Sequence, residues 1–202
     1  ISKKEAILRI DPNTLDTLLH PSLDKKAEKR IIAKGLPASP GAASGKVVFT
    51  AEEAERLNGI MQSTILVRVE TSPEDIHGMH AAKGVLTVRG GMTSHAAVVA
   101  RGMGRPCVSG STEITIDYSL KQFKSGATVV KEGDIITIDG TNGEVMLGTV
   151  PTVQPKISGY FSTIMNWSNE FKKLKIRANA ETEKDSKIAR DFGAEGIGLC
   201  RT

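Results

Sequence analysis

The sequence contains few cysteines, few aromatic residues and no long apolar run. Its two cysteines, Cys107 and Cys200, are far apart and outside any CxxC pair, so neither a disulfide framework nor a cysteine zinc site is expected. No stretch approaches the roughly 20 consecutive apolar residues that span a bilayer. The first residues, Ile1 to Lys4, lead into a charged amphipathic pattern and not into a signal-peptide core. These absences predict a cytoplasmic protein that neither inserts into a membrane nor is secreted.

The positive charges are not concentrated in one place. Lys and Arg number 27 against 23 Asp and Glu, and this excess of +4 is spread along the chain without a basic run or interleaved aromatics. A dedicated nucleic-acid-binding protein is therefore not expected, whereas small anionic ligands remain possible. A hydrophobic content of 39% over 202 residues predicts a globular protein with at least one core.

The composition changes along the chain. Residues 1–34 read as polar and helical: His20-Pro21 ends a helix, and a charged run over 24–30 is a solvated linker or helix face. Residues 35–45 are rich in Gly, Pro, Ala and Ser, which suits a domain boundary or a loop of close approach. From there to about residue 150, strands and short helices alternate, which predicts an α/β domain.

Several elements of this α/β domain carry clear signals. Ser72-Pro73-Glu74-Asp75 has the composition of a helix start, and the helix is expected to run to Gly84. A strand at 85–88 follows it. The run Asp139-Gly140-Thr141-Asn142-Gly143 predicts the turn of a hairpin.

The last fifty residues read as an incomplete structure. A helix is predicted for 160–173, then a strand at 174–180, a helix at 183–192 and a strand at 196–200. One βαβ unit cannot cover both faces of its own parallel sheet. We therefore interpret the chain as a fragment of a larger protein.

The segment Gly90 to Gly102 carries the strongest chemical signal. Two glycines allow a tight turn, Thr93 or Ser94 is a good N-cap, and a run of Ala and Val forms a short helix that ends at Gly102. His95 then lies in the first helical turn, where free backbone N–H groups and the helix dipole create positive potential. That potential disfavours a protonated imidazolium and favours a dianionic group attached to the ring, as a phosphorylated histidine requires.

Other interpretations of these residues stay open. A lone histidine at a helix end is more often one that merely forms hydrogen bonds to its neighbours, but the two glycines, the two hydroxyls before His95 and the helix of small residues after it make that interpretation less favoured here. His20, His77 and His80 lack a third ligand in a recognisable zinc pattern, so no metal site is expected. The arginines near His95, Arg89, Arg101 and Arg105, either screen a phosphoryl group or form surface ion pairs.

The sequence GGMTSHAAVVARGMG at 90–104, followed by Cys107-Val108-Ser109-Gly110, closely resembles the phosphohistidine motif of the pyruvate, phosphate dikinases. Stretches at 35–42, 70–75 and 196–202 are similar to stretches of the same enzymes in the same order. Phosphoenolpyruvate (PEP) synthase and enzyme I of the sugar phosphotransferase system share the theme, but usually have Arg at the position of Met92. The resemblance therefore favours the dikinases.

The resemblance implies a swivelling β/β/α domain over 35–150, flanked by linkers at 1–34 and 151–173. Residues 174–202 would open a truncated (β/α)8 barrel that binds PEP and pyruvate, and an ATP-binding domain would precede the chain. His95 would carry a phosphoryl group, on its Nε2 atom, between these two partner domains. The implied reaction converts ATP, phosphate and pyruvate into AMP, pyrophosphate and PEP, with Mg²⁺ bound mainly by the absent domains, in a homodimeric full-length enzyme.

The resemblance also implies roles for single residues. Gly90, Gly91, Thr93, Ser94 and Arg101 would support His95, Thr93 would match a threonine that plant enzymes phosphorylate, and Arg201 would hold the phosphate of PEP. Two competing functions remain: a PEP synthase-like domain that uses water in place of phosphate, and a non-catalytic module that binds an anion or a partner at the glycine-rich helix end.

Overall fold

The structure is a computed structural model that describes residues 1–11, 15, 18–154, 159–191 and 193–200. The chain divides into two compact units. The larger unit lies within residues 12–156, and the smaller unit consists of residues 1–11 and 157–202. The predicted mixed α/β class is confirmed, because strands and helices both contribute throughout the larger unit.

The helices and strands of the larger unit follow one another along the chain. Its strands are β1 (Ser22–Leu23), β2 (Ile31–Lys34), β3 (Leu36–Ser39), β4 (Ala42–Val48), β5 (Thr64–Arg68), β6 (Gly84–Thr87), β7 (Cys107–Ser109), β8 (Ile114–Asp117), β9 (Gln122–Ser125), β10 (Thr128–Lys131), β11 (Ile135–Asp139), β12 (Glu144–Leu147) and β13 (Thr152–Val153). Its helices are α2 (Ala51–Gly59), α3 (Ile76–Ala81) and α4 (His95–Gly102), with a 3₁₀ turn at Pro73–Asp75. In the smaller unit lie α1 (Lys3–Leu8), α5 (Gly159–Phe171), β14 (Arg177–Ala178), α6 (Glu183–Asp191) and β15 (Gly196–Ile197).

An eight-stranded sheet forms the centre of the larger unit, in the order β2-β12-β11-β4-β5-β6-β7-β3. Strands β4, β5, β6 and β7 are parallel to one another. Helices connect these parallel strands, as parallel pairing requires. The remaining strands pair antiparallel, and β11 and β12 form the hairpin that the turn at 139–143 predicts. A separate three-stranded antiparallel sheet contains β8, β9 and β10.

The central strands are buried on both faces, so their side chains enter two different cores. On β5, Ile65 and Val67 belong to a cluster that includes Phe123 and Val130 of the small sheet. Leu66, between them, belongs to a cluster with residues of α2, α3 and α4. The alternation follows from the two-residue period of a strand. The sheet is therefore covered by the small sheet on one face and by helices on the other, and this packing fixes α4 in place.

The smaller unit contains the strand, helix and strand that the sequence predicts near its end. Strands β14 and β15 pair in parallel, and α6 lies between them in the chain. The Thr182 hydroxyl caps α6 by accepting a hydrogen bond from the backbone N–H of Asp185 at 3.1 Å. The strands are shorter than the predicted 174–180 and 196–200. In the same unit, Nζ of Lys3 donates to Glu170 of α5 at 3.0 Å.

The helical prediction for residues 1–34 agrees with α1 and is wrong for the last residues, whereas the helix expected to end at His20-Pro21 lies largely outside the described residues. Residues 31–34 form β2, which pairs with β12 at the end of the central sheet. In this edge strand Ala33 is buried between the partly buried Ile32 and the exposed Lys34, and the neighbouring run of charges obscures this short pattern in the sequence. Likewise, β1 pairs with β13 inside the residues predicted to be linkers.

Residues 35–45 are not a loop, because they contain β3 and the start of β4. The expected close approach is nevertheless present: a Cβ atom on Gly45 would lie 2.8 Å from the backbone of Thr64. The single helix predicted from 72 to 84 is a 3₁₀ turn followed by the short helix α3. It ends at Ala81 because Ala82 adopts an extended backbone. None of the helices among the described residues combines the length and apolar character that a membrane span requires.

Candidate active site

The candidate site lies where three parallel strands end. The segments that follow β5, β6 and β7 meet there, since parallel strands present their carboxyl ends at one edge of a sheet. Two backbone hydrogen bonds join these segments: the N–H of Arg89 donates to Val69 O at 2.8 Å, and the N–H of Ser111 donates to Thr87 O at 2.9 Å. Residues distant in sequence are thereby held around the start of α4.

Helix α4 begins at His95, as the motif predicts. Ser94 is the N-cap: its backbone is extended, and its Oγ accepts from the N–H of Ala97 at 3.4 Å. The same Oγ lies 3.4 Å from Oγ of Ser109, which in turn accepts from the buried hydroxyl of Thr87 at 3.1 Å. Three hydroxyl groups therefore connect the helix start to the strands β6 and β7 beneath it.

The turn before α4 requires glycine at one of its two glycine positions. Gly90 has a φ of +114°, and a Cβ atom there would lie 2.9 Å from Oγ of both Ser94 and Ser109. A side chain at Gly91 would meet no atom within 4 Å. Gly110 packs against the same turn, because a Cβ atom on it would lie 2.6 Å from Gly90 O. Gly90 and Gly110 thus allow the backbone to approach the N-cap closely.

The His95 ring is partly exposed, and one of its two nitrogen atoms has a specific partner. Nδ1 lies 2.9 Å from Oγ1 of Thr71, a residue that is 8% exposed in the segment after β5. A neutral imidazole holds its proton on one nitrogen and a lone pair on the other. When Nδ1 donates its proton to Thr71, the lone pair is on Nε2, which makes Nε2 the nucleophilic atom.

The surroundings of His95 suit an anion more than a cation. The unpaired N–H groups of the first turn of α4 carry partial positive charge, and His95 is the first residue of that turn. A phosphoryl group on the ring would gain from this potential.

The nearby arginines make their contacts elsewhere. The guanidinium of Arg101 donates to Ala38 O at 2.7 Å and to Met92 O at 3.4 Å. It thereby ties α4 both to β3 and to the turn before the helix. Arg105 donates to His80 O at 3.0 Å. These contacts give both arginines a structural role, and Arg101 contacts the turn that precedes His95.

The other predicted residues are distributed as follows. Thr93 is exposed in the turn before α4, and His77 and His80 are exposed on α3. Arg201 lies outside the described residues. Sequence reasoning missed Thr71, although its segment, 70–75, resembled the dikinases. A hydroxyl three residues after a buried strand was the available signal, but nothing in the sequence places it beside His95.

The described residues do not fit a magnesium site. Mg²⁺ prefers carboxylate and other oxygen ligands in octahedral geometry. Nowhere in the described ranges do three Asp, Glu, His or Cys side chains come together in a group that could hold a metal ion. No chemical step at His95 is therefore assigned to a metal bound by this part of the chain.

Comparison with protein families gives two matches. Residues 60–143 match the mobile domain of PEP-utilising enzymes, and residues 155–202 match their PEP-binding domain. The chain belongs to the PEP-utilising enzyme family. Within this family, the mobile-domain match contains both Thr71 and His95.

Individual relatives point to one type of PEP-utilising enzyme. The chain is 57% identical over its whole length to a pyruvate, phosphate dikinase of Rhizobium meliloti and 54% identical to one of Rickettsia typhi. It spans 22% and 23% of those proteins, respectively. Among solved structures, the NMR solution structure of Enzyme I (nEIt) is 24% identical, covering 55% of this chain and 40% of that one. Its TM-score of 0.32 is too low to bear on the fold.

Proposed function

We propose that this chain is the phosphocarrier region of a pyruvate, phosphate dikinase, and that His95 is its phosphoryl acceptor. The observation that carries the proposal is the 2.9 Å contact between Thr71 Oγ1 and Nδ1 of His95 at the first residue of α4. With the Thr71 hydroxyl accepting the Nδ1 proton, Nε2 is the reacting atom in this proposal, and the positive end of the helix dipole favours a dianion on the ring. The sequence identity to dikinases over the whole chain supports the same assignment.

The proposed cycle has three steps. The Nε2 lone pair attacks the β-phosphorus of ATP, the bond from that phosphorus to the α–β bridging oxygen breaks, and AMP leaves. Inorganic phosphate then attacks the terminal phosphorus of the pyrophosphoryl group and departs as pyrophosphate, leaving one phosphoryl group on Nε2. Finally, the enolate oxygen of pyruvate attacks that phosphorus, the N–P bond breaks, and PEP forms.

The chain's own part in these steps is to present the imidazole. Phosphoryl transfer depends on positioning and charge neutralisation more than on covalent help from the protein. A single ring at a helix end can therefore serve two substrate sites if each site supplies its own cations. In this proposal ATP and pyruvate bind to the flanking domains, and so does Mg²⁺, which neutralises phosphate charge there.

The proposed domain division follows the sequence prediction with one change. Residues 1–30 and 151–173 would connect the carrier to the ATP-binding domain and to the PEP-binding barrel, which would open at 174–202. Since β2 pairs within the central sheet, the carrier domain begins at residue 31 and not at 35. The proposal also requires this domain to swivel between the two substrate sites.

Two further residues have proposed roles. Arg201 would hold the phosphate of PEP in the barrel. Thr93 is exposed two residues before His95, so a phosphate attached to it would repel the incoming phosphates of ATP. Phosphorylation of Thr93 is therefore expected to block the first step.

The test uses full-length protein with His95 replaced by asparagine, which keeps a polar side chain of similar size. The native protein is expected to exchange label between ATP and AMP and to form pyrophosphate, whereas His95→Asn loses both activities. Exchange retained in the variant would contradict the proposal. Release of inorganic phosphate in place of pyrophosphate would instead identify a PEP synthase-like enzyme. No label on His95 of the native protein would identify a binding module.

A further inference from the structure

The segment that carries Thr71 is held by a buried carboxylate. Asp75 is 5% exposed. Its Oδ2 accepts hydrogen bonds from the backbone N–H of Ser72 at 2.9 Å and from the Ser72 hydroxyl at 3.3 Å. Ser72 directly follows Thr71, so these bonds fix the backbone next to the hydroxyl that contacts His95.

The other oxygen of this carboxylate faces a cation. Oδ1 of Asp75 lies 3.3 Å from Nε of Arg68, which makes no hydrogen bond there, so the two groups attract mainly as charges. The guanidinium is itself held in place: it donates to Phe49 O at 3.2 Å, and its central carbon lies 5.7 Å from the centre of the Tyr118 ring. Arg68 thus anchors Asp75 to strand β5 and to the loop after β4.

The opposite end of the Thr71 segment is also fixed. The backbone N–H of Val69 donates to the Tyr118 hydroxyl at 3.1 Å, and the Val69 carbonyl accepts from Arg89 at 2.8 Å. Only Glu70 and Thr71 lie between this anchor and Ser72. The position of the Thr71 hydroxyl therefore depends directly on the two anchors.

We propose that Asp75 is a positioning residue for His95: through Ser72 it holds the Thr71 hydroxyl against Nδ1, and so keeps the ring proton on Nδ1 and the lone pair on Nε2. This inference rests on the proposed function for its effect on phosphoryl transfer, but its effect on the ring proton is independent of it. A ring whose tautomer is set by a hydrogen-bonded neighbour, itself fixed by a further residue, is a common arrangement for reactive and metal-bound histidines.

A purely structural role for Asp75 is the competing explanation, because Asp75 also completes a capping box with Ser72. The chain offers a matched comparison. Asp185 makes the same box with Thr182, accepting from its backbone N–H at 3.2 Å and from its hydroxyl at 2.7 Å. Asp185 is exposed, so capping alone does not require a buried carboxylate. Asp75 differs in its burial, its arginine partner and its neighbour Thr71.

The experiment measures the ring tautomer and the rate of labelling separately. Nitrogen chemical shifts of the His95 ring are recorded in the 202-residue chain, and labelling of His95 by ATP is followed in the full-length protein. Both are measured for native protein and for Asp75→Asn, Thr71→Val, the double variant and Asp185→Asn. Asp75→Glu keeps the carboxylate and the capping box, and serves as the conservative variant. Arg68→Gln removes the positive charge that faces Oδ1 of Asp75 and leaves the hydrogen bonds between Asp75 and Ser72 in place. It is used instead of Asp75→Asn if Asp75→Asn does not fold.

Asp75→Asn is expected to lower the Nδ1–H fraction and to slow labelling about 10-fold, because small displacements at a reacting centre are costly. Arg68→Gln should lower the Nδ1–H fraction and the labelling rate as well, but by less. Asp185→Asn should change neither the tautomer nor the labelling rate, and Asp75→Glu should retain the native tautomer. In the Thr71→Val background, Asp75→Asn should have no further effect on labelling.

Two results would overturn the inference. One is a native tautomer in Asp75→Asn, or in Arg68→Gln where that variant replaces it. The other is that Asp75→Asn slows labelling of His95 by the same factor in native protein and in Thr71→Val, which would mean that Asp75 acts independently of Thr71. If native His95 is never labelled, the proposed function fails, but the tautomer measurement still decides the role of Asp75.

Discussion

Thr71 and His95 come from different connections of the sheet, yet the Thr71 hydroxyl lies 2.9 Å from Nδ1 of the His95 ring. Thr71→Val removes the hydroxyl and keeps the side-chain shape. We expect labelling of His95 by ATP to slow by about 10-fold or more, because the ring loses the group that orients it. The overall fold should persist.

Thr71→Ser is the control for this prediction, since it keeps a hydroxyl at the same carbon. It should label at close to the native rate. Equal rates for native protein and Thr71→Val, measured as single-turnover labelling of the full-length protein, would show that the contact is dispensable.

The two glycines before α4 should respond differently to alanine. Gly90 combines a φ of +114° with a Cβ position 2.9 Å from two hydroxyl oxygens, whereas Gly91 has open space. Gly90→Ala should lower the free energy of unfolding by about 1–3 kcal/mol. Gly91→Ala should change it by less than about 0.5 kcal/mol. Urea denaturation of the 202-residue chain measures both, and equal effects would contradict the assigned turn geometry.

Arg101 should affect the candidate site through the turn that it holds. Arg101→Met removes the hydrogen bonds to Ala38 O and Met92 O and keeps an unbranched side chain. Labelling of His95 is expected to fall several-fold, with a stability loss of about 1–3 kcal/mol from the charged hydrogen bond. Arg105→Met removes only the hydrogen bond to His80 O and should leave labelling unchanged. The same loss of labelling in both variants would indicate a general charge effect.

The two cysteines should differ in reactivity. Burial raises the pKa of the Cys107 thiol from 9.0 to about 12, whereas Cys200 is exposed. Because the thiolate is the reactive form, a thiol reagent at about pH 8 should modify Cys200 first and Cys107 only after denaturant is added. Rapid modification of a Cys200→Ser variant in its native state would contradict the burial of Cys107.

The same pKa shift has a consequence for stability. Above about pH 9 the Cys107 thiol ionises in the unfolded chain, whereas the buried native thiol stays protonated. The contribution of this thiol to the free energy of unfolding is therefore complete only below about pH 9. That contribution is lost as the pH rises toward 12. Between these values, native protein should lose stability more steeply than Cys107→Ala. Parallel stability curves for the two proteins would contradict the shift.

Local signals in the sequence predicted much of the fold. The position of His95 in the first turn of a helix and the hairpin turn at 139–143 depend on neighbouring residues, and the structure confirms both. Of the two predicted N-cap candidates, Thr93 and Ser94, Ser94 is the cap. The strand β2 was missed because its identity comes from pairing with β12, more than a hundred residues away. Short strands at a sheet edge have weak periodicity, and adjacent charges obscure it.

The candidate site was predictable only in part, for a similar reason. His95 and the glycines before it form a contiguous motif, so their arrangement follows from local geometry. Thr71, in contrast, lies beside His95 only because β5 and β6 are adjacent and parallel. Arg101 was noticed as a charge near the ring, whereas its contacts are with backbone carbonyls.

The most direct test of the account is the identity of the phosphorylated atom. Full-length protein is labelled with ATP, and the label is located by peptide mapping and by phosphorus–nitrogen coupling in NMR spectra. We predict an acid-labile, base-stable phosphoryl group on Nε2 of His95. A label on Nδ1, on another residue or on none would contradict the account.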